Sequence, residues 1–161
     1  MNINIHFCPI KRFVADMEYE DMTEDIAAVF ATSYDTDICP NLKKYICLGF
    51  DDITNSKDPM AFTPVIAERI KSFVFSLEGV SDLFFCCDRG ESRSTALACA
   101  FMRYYGLDEM RVWSDADCHP NMLVYSVMCK TLGLSCDEEM QKYLSDINKE
   151  ALANKIRKAR L

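Results

Sequence analysis

Glycine and proline are scarce in this chain, and histidine and tryptophan are scarcer. The 161 residues include five glycines, five prolines, two histidines and one tryptophan. This scarcity, together with 50% hydrophobic residues, excludes a collagen-like, low-complexity or disordered chain. The length is typical of one domain, so residues 1–161 are predicted to form a single domain with a sizeable core.

Long apolar segments and an excess of positive charge are also missing. No apolar run reaches the roughly 18 residues that a membrane-spanning helix needs, and no stretch has the pattern of a secretory signal. Lysine and arginine number 18 against 25 aspartates and glutamates, which gives a net charge of −7. Nucleic acids and anionic membranes attract clustered positive charge, so neither is an expected partner. We expect a cytoplasmic protein, and the sequence leaves its oligomeric state open.

Cysteine, by contrast, is abundant, with nine residues in the chain. The sequence has no Cys-x-x-Cys pair, and His6 and His119 are not spaced as metal ligands. No metal and no other cofactor is therefore predicted. Without a secretory signal, most of the cysteines are interpreted as reduced, small apolar core residues.

Strand-like segments precede and alternate with helical segments along the chain. Alternating or continuous apolar runs predict four strands, over Asn2–Cys8, Ile26–Thr32, Lys44–Phe50 and Leu83–Cys87. Helical periodicity and capping residues predict four helices, from Thr63 to Gly79, Arg93–Tyr105, Asn121–Leu132 and Asp137–Ala159. This order is typical of an α/β fold, a three-layer domain with a central, mostly parallel sheet flanked by helices.

The segment from Cys87 to Ser94 lies between a predicted buried strand and a predicted helix, where parallel sheets bind ligands. It reads Cys-x-x-Gly-x-x-Arg-Ser, a pattern expected by chance on the order of once in a thousand chains of this composition. Gly90 permits a tight turn, which lets the loop N–H groups converge beside the helix N-terminus. The pattern predicts a site for a phosphate dianion.

Three side chains of this segment suit thiolate chemistry. The guanidinium of Arg93 matches two phosphate oxygens. Together with the loop dipoles it favours the thiolate form of Cys87. Ser94 is placed to donate a hydrogen bond to that thiolate and to help it leave in a second step.

The Cys87–Ser94 segment resembles the phosphate-binding loop of the cysteine-based protein tyrosine phosphatases, whose signature is a cysteine, five residues, an arginine and a serine or threonine. The longer run FFCCDRGESRSTALACAFMRYYG is similar to the dual-specificity branch. The run HPNMLVYSVMCKTLG resembles a segment of small bacterial phosphatase-like proteins. The resemblance covers residues 46–134. It implies a phosphatase-like fold and a phosphomonoester hydrolase that acts on a phosphorylated protein or a small phosphomonoester.

The resemblance also implies roles for individual residues. Cys87 is the implied nucleophile, which forms a cysteinyl-phosphate intermediate. The implied phosphate-binding residues are Asp88, Arg89, Gly90, Glu91, Ser92 and Arg93. The charges of these residues cancel, which favours phosphotyrosine or a simple phosphomonoester over an inositol lipid.

A general acid is implied roughly thirty residues before the cysteine, at the end of a strand. Asp52 and Asp51 follow the third predicted strand, 35 and 36 residues before Cys87, and Asp52 is the slightly better match. Asp58, 29 residues before Cys87, is the third candidate. A solvated loop carboxylate is the alternative for each of them.

The sequence departs from the family pattern at Cys86, where the family usually has a histidine. Cys86 is interpreted as a buried thiol rather than as a redox partner of Cys87. His119 is assigned to the turn that enters a helix, and the alternative is that its segment rims the pocket and contacts substrate. Three alternative functions stay open: another thiolate chemistry such as arsenate reduction or sulfur transfer, an inactive module that captures phosphorylated partners, and an interaction protein that uses the final helix, Asp137–Leu161.

Overall fold

The computed structural model describes residues 3–18, 24–32 and 42–160, so Asn2 of the first predicted strand and the terminal Leu161 lie outside the described residues. Within these ranges the chain forms four strands and six helices. In chain order they are β1 Asn4–Pro9, α1 Ile10–Met17, β2 Ile26–Ala31, β3 Tyr45–Leu48, α2 Pro64–Phe75, β4 Asp82–Cys87, α3 Arg93–Tyr104, α4 Met110–Trp113, α5 Met122–Thr131 and α6 Glu138–Ala159.

The four strands form one parallel sheet in the order β1-β4-β2-β3. The α/β fold predicted from the sequence is therefore confirmed. Strand β4 lies between β1 and β2, and its last residue, Cys87, pairs with Pro9 on one side and Ala31 on the other. The carboxyl ends of these three strands thus meet at one edge of the sheet, which is the edge where parallel sheets bind ligands.

Helices cover both faces of the sheet, which makes it the middle layer of three. Successive residues of a strand point to opposite faces. Phe85 and Cys87 point into the larger core, with residues of α2, α3 and α5. Cys86 points to the other face, where Phe13 and Met17 of α1 form a smaller core.

The structure differs from the sequence-based expectations mainly in two helices. Helix α1 was not predicted, because its eight residues follow β1 directly and Pro9 at its N-cap offers no capping side chain. Helix α4 has four residues, too few for a periodic signal. The predicted cap at Gly79 is wrong, since α2 ends at Phe75 and Ser76 Oγ donates to the carbonyl oxygen of Phe73 at 2.7 Å.

Helix α6 packs on α4 and α5 and secures the segment between them. Leu144 is buried, and Met140 and Ile147 pack partly buried against the larger core, whereas Leu152 is 39% exposed. Asn148 Nδ2 lies 2.7 to 3.4 Å from three carbonyl oxygens, those of Trp113, Asp115 and Cys118. No helix within the described ranges has both the length and the apolar character to cross a membrane.

Candidate active site

The loop after β4 turns tightly at the carboxyl edge of the sheet. Gly90 has a φ of 72°, a left-handed conformation that favours glycine. A Cβ atom at this position would lie 2.4 Å from the backbone nitrogen of Pro9, so a larger residue does not fit. The loop therefore rests directly on the end of β1.

Cys87 is buried beneath this loop, with 2% of its surface exposed. Its Sγ lies 3.2 Å from the Gly90 N–H, which donates to it, and 3.1 Å from Ser94 Oγ. Ser94 belongs to the first turn of α3 and is fully buried. The sequence-predicted contact between Ser94 and the cysteine is therefore present.

Arg93, the first residue of α3, is held by two acceptors. Its Nη1 donates to the carbonyl oxygen of Phe50 at 2.9 Å, and its Nη2 donates to Asp88 Oδ2 at 2.6 Å. The other carboxylate oxygen of Asp88 accepts from Thr32 Oγ1 at 3.4 Å. These contacts fix the plane of a guanidinium that is almost completely buried. The Asp88 side chain thus orients Arg93.

Asp52 is held above the loop by two hydrogen bonds to the same oxygen. Asp52 Oδ1 accepts from Ser92 Oγ at 2.8 Å and from Asn121 Nδ2 at 2.7 Å. Asp58 instead caps a turn, since its Oδ1 accepts from the N–H of Met60 at 2.9 Å. Of the three aspartates proposed from the sequence, Asp52 alone lines the pocket that the described residues form around Cys87.

Asn121 is a site residue that the sequence did not reveal. The sequence predicts it only as the start of a helix, and its Oδ1 does cap α5 by accepting from the N–H of Val124 at 3.2 Å. Its amide group also donates to Asp52 and, at 3.2 Å, to the carbonyl oxygen of Ile53. The capping signal was visible, but no local pattern indicates a partner 69 residues away.

The pocket has a volume of about 330 Å³, which suits one small ligand group. Its lining consists of Asp52, Cys87, Asp88, Arg89, Glu91, Ser92, Arg93 and His119. Arg89 and Glu91 form an ion pair of 3.3 Å at the rim. His119 does more than enter a helix, because it lines the pocket while its backbone N–H donates to the carbonyl oxygen of Glu91 at 2.8 Å.

Cys86 lies behind the site rather than in it. Its side chain points to the α1 face of the sheet, whereas Cys87 points to the α3 face. Burial raises the pKa of the Cys86 thiol well above its usual value. The interpretation of Cys86 as a buried thiol is confirmed, and its orientation argues against a bridge to Cys87.

Family models, characterised proteins and solved structures give no match to this chain. Within residues 3–18, 24–32 and 42–160, no group of three histidine, cysteine, aspartate or glutamate side chains is arranged to hold a metal ion. The geometry of the loop, the cysteine and the surrounding charged side chains is therefore the basis for assigning a function.

Proposed function

We propose that this chain is a phosphomonoester hydrolase, a cysteine-dependent phosphatase of the protein tyrosine, dual-specificity-like type. The observation that carries the proposal is the convergence of Cys87, Arg93 and Asp52 on one pocket at the carboxyl edge of the sheet. A buried sulfur, a buried guanidinium and a carboxylate are the three groups that phosphoryl transfer through a thiolate requires. We also propose a cytoplasmic location, because a reducing compartment keeps Cys87 as a free thiol.

In the first step, the thiolate of Cys87 attacks phosphorus and an S–P bond forms. The bond between phosphorus and the ester oxygen breaks, and the leaving oxygen takes a proton from the carboxyl group of Asp52. Arg93 and the N–H groups of the loop bind the non-bridging oxygens as negative charge shifts during transfer. Asp88 and the Phe50 carbonyl oxygen keep the Arg93 guanidinium oriented for this contact.

In the second step, the carboxylate of Asp52 removes a proton from a water molecule. The water oxygen attacks phosphorus, the S–P bond breaks, and sulfur regains the electron pair as inorganic phosphate forms. Ser94 Oγ and the Gly90 N–H, both within 3.2 Å of the sulfur, stabilise the thiolate as it leaves.

The alternatives receive less support. Arsenate reduction requires a resolving thiol near Cys87, and the adjacent Cys86 points to the opposite face of the sheet. A module that only binds phosphate needs no general acid, yet Asp52 lines the pocket. An interaction surface on α6 would have to use its outer face, because Leu144 is buried and Asn148 donates to the carbonyl oxygen of Cys118.

Hydrolysis of para-nitrophenyl phosphate by the reduced protein tests the proposal, with a chelator present throughout. We expect turnover by the parent, no turnover by Cys87→Ser, and a loss of at least about a hundredfold in Arg93→Lys, because lysine lacks the planar fork. Arg89→Lys is the matched control, since the Arg89 side chain is exposed and the substitution leaves the backbone N–H of the loop in place, so it should retain most of the activity.

Circular dichroism must show that each variant is folded. No turnover between pH 5 and 7.5, from a folded parent whose Cys87 reacts as a free thiol, would contradict the hydrolase proposal. Equal losses in Arg93→Lys and Arg89→Lys would contradict the role given to Arg93.

A further inference from the structure

A pair of thiols lies directly behind the candidate loop. Cys8 on β1 and Cys86 on β4 are register partners on adjacent parallel strands, and their Sγ atoms are 3.7 Å apart. Both side chains belong to the smaller core on the α1 face. Adjacent strands lie about 4.8 Å apart, a separation within the Cα range that disulfides span.

The two thiols differ in exposure and in acidity. Cys8 is half-buried, whereas Cys86 is completely buried. A hydrogen bond from the Cys86 thiol and the positive charge of Arg12 lower the pKa of Cys8, against the opposing effects of burial and Asp16. Burial raises the pKa of Cys86. A small oxidant therefore reaches Cys8, whose thiolate is the reactive form. Cys86 lies beside it as the resolving thiol.

We propose that Cys8 and Cys86 form an oxidation-sensitive dithiol, which a hydroperoxide closes to a disulfide. The Cys8 thiolate attacks the outer oxygen of the peroxide, an S–O bond forms, and the O–O bond breaks to leave hydroxide or alkoxide. The Cys86 sulfur then attacks Cys8 Sγ, the S–S bond forms, and the hydroxyl group leaves as water with the Cys86 proton. The peroxide is reduced by two electrons and the two thiols are oxidised by two electrons.

The disulfide would act on the phosphate site through the backbone, and this part of the inference rests on the proposed function. Closure brings the two sulfurs from 3.7 Å to about 2.05 Å. The next register pair is Pro9 and Cys87, and the Cα of Gly90 rests on the Cys8–Pro9 backbone. A shift of that backbone displaces the loop N–H groups, so the oxidised form binds oxyanions more weakly.

The Cys87→Ser variant is the protein to use, because it removes oxidation of the nucleophile itself. It is treated with hydrogen peroxide, the excess is destroyed with catalase, and disulfides are mapped by mass spectrometry of non-reduced peptides. Tungstate binding is measured by calorimetry before oxidation, after oxidation and after re-reduction. We expect a Cys8–Cys86 linkage and tungstate affinity that falls about tenfold, ~1.4 kcal/mol, and recovers with dithiothreitol.

Two additional substitutions in the Cys87→Ser background serve as controls. Cys8→Ser should abolish both the linkage and the change in affinity. Cys47→Ser should change neither, because Cys47 shares the α1 face but is separated from Cys86 by β2.

The outcomes separate this inference from the proposed function. Oxidation of Cys8 to sulfenic or sulfinic acid without a linkage to Cys86 would overturn the dithiol, whether or not the protein is a phosphatase. A linkage that leaves tungstate affinity unchanged would overturn the coupling to the loop. If the reduced protein binds no tungstate, both that coupling and the proposed function are overturned. The mapped linkage would still show whether Cys8 and Cys86 form a disulfide.

Discussion

Asn121 Nδ2 lies 2.7 Å from Asp52 Oδ1 and joins two segments that are 69 residues apart. The same Asn121 side chain caps α5 through its Oδ1. One buried amide therefore fixes the start of a helix and the direction of the carboxylate proposed as general acid. The contact is structural, and it becomes functionally important if Asp52 has to meet a leaving group above Cys87.

Two substitutions of Asn121 distinguish the effect of its contact with Asp52 from the effect of its helix cap. Asn121→Ser keeps a capping oxygen but loses the amide donor to Asp52 and to the Ile53 carbonyl oxygen, so we expect stability to fall by about 1 kcal/mol and kcat to fall as well. The loss should be larger for phenyl phosphate than for para-nitrophenyl phosphate, because only a poor leaving group needs protonation. Asn121→Ala also loses the cap, and urea unfolding should show a further cost of about 1 kcal/mol.

A uniform loss of kcat on both substrates would contradict the positioning role of Asn121. It would indicate that the substitution damages the loop rather than the direction of the acid. A KM that rises while kcat stays constant would point instead to direct contact between Asn121 and the substrate.

Matched substitutions of Asp52 and Asp58 test which aspartate is the general acid. Asp52→Asn should lower kcat on phenyl phosphate by roughly 10²- to 10³-fold, since the amide cannot transfer the proton. Asp58→Asn should leave kcat within about twofold, because the asparagine oxygen still accepts from the N–H of Met60. The measurement is the pH profile of kcat for both variants. A larger loss in Asp58→Asn than in Asp52→Asn would reverse the assignment.

Asp88 should affect binding and chemistry in opposite directions. Its carboxylate orients Arg93 but also lines the pocket, where it repels a phosphate dianion. Asp88→Asn removes the repulsion and weakens the ion pair, so we expect tungstate to bind several-fold more tightly while kcat falls roughly tenfold. Weaker tungstate binding together with an unchanged kcat would show that the carboxylate does not have this dual effect.

Asn148 secures α6 to the segment that leads to His119. Its partly buried amide group serves three carbonyl oxygens, so Asn148→Ala should lower the free energy of unfolding by about 1 to 2 kcal/mol. Asn154→Ala is the control on the same helix, where the side chain is exposed, and its effect should stay within about 0.5 kcal/mol. Denaturation in urea measures both, and equal effects would argue against the anchoring role.

The sequence predicted the strands and long helices because their residues carry periodic or capping signals. Thr63 and Asn121 both cap the helices that follow them, and Asp137 caps α6. Helix α1 was not predicted because it is a short amphipathic segment that follows a strand and has no capping side chain. Such a segment resembles a loop in sequence. The order of the strands in the sheet could not be predicted, because it depends on pairing between strands that are far apart in the sequence. Such pairing produces no sequence pattern within either strand.

Some contacts of the candidate site can likewise be predicted from a local sequence pattern, and others cannot. The contacts of Cys87 with Gly90 and Ser94 follow from one local pattern, since a strand, a glycine turn and a helix start lie within eight residues. The sequence cannot choose between Asp51 and Asp52, because the choice depends on which carboxylate faces the loop from a segment about 40 residues earlier. In the structure it is Asp52, which accepts a 2.8 Å hydrogen bond from Ser92. Likewise, the Cys8–Cys86 contact joins residues 78 positions apart.

The most direct test of the proposed chemistry is to trap the covalent intermediate. Asp52→Asn protein is mixed with para-nitrophenyl phosphate, whose good leaving group forms the intermediate without an acid, and the reaction is quenched within milliseconds. The account predicts one phosphate on the peptide that contains Cys87, because the second step lacks its base, and none in the Cys87→Ser, Asp52→Asn double variant. Hydrolysis without any phosphorylated Cys87, or phosphate on another residue, would contradict it.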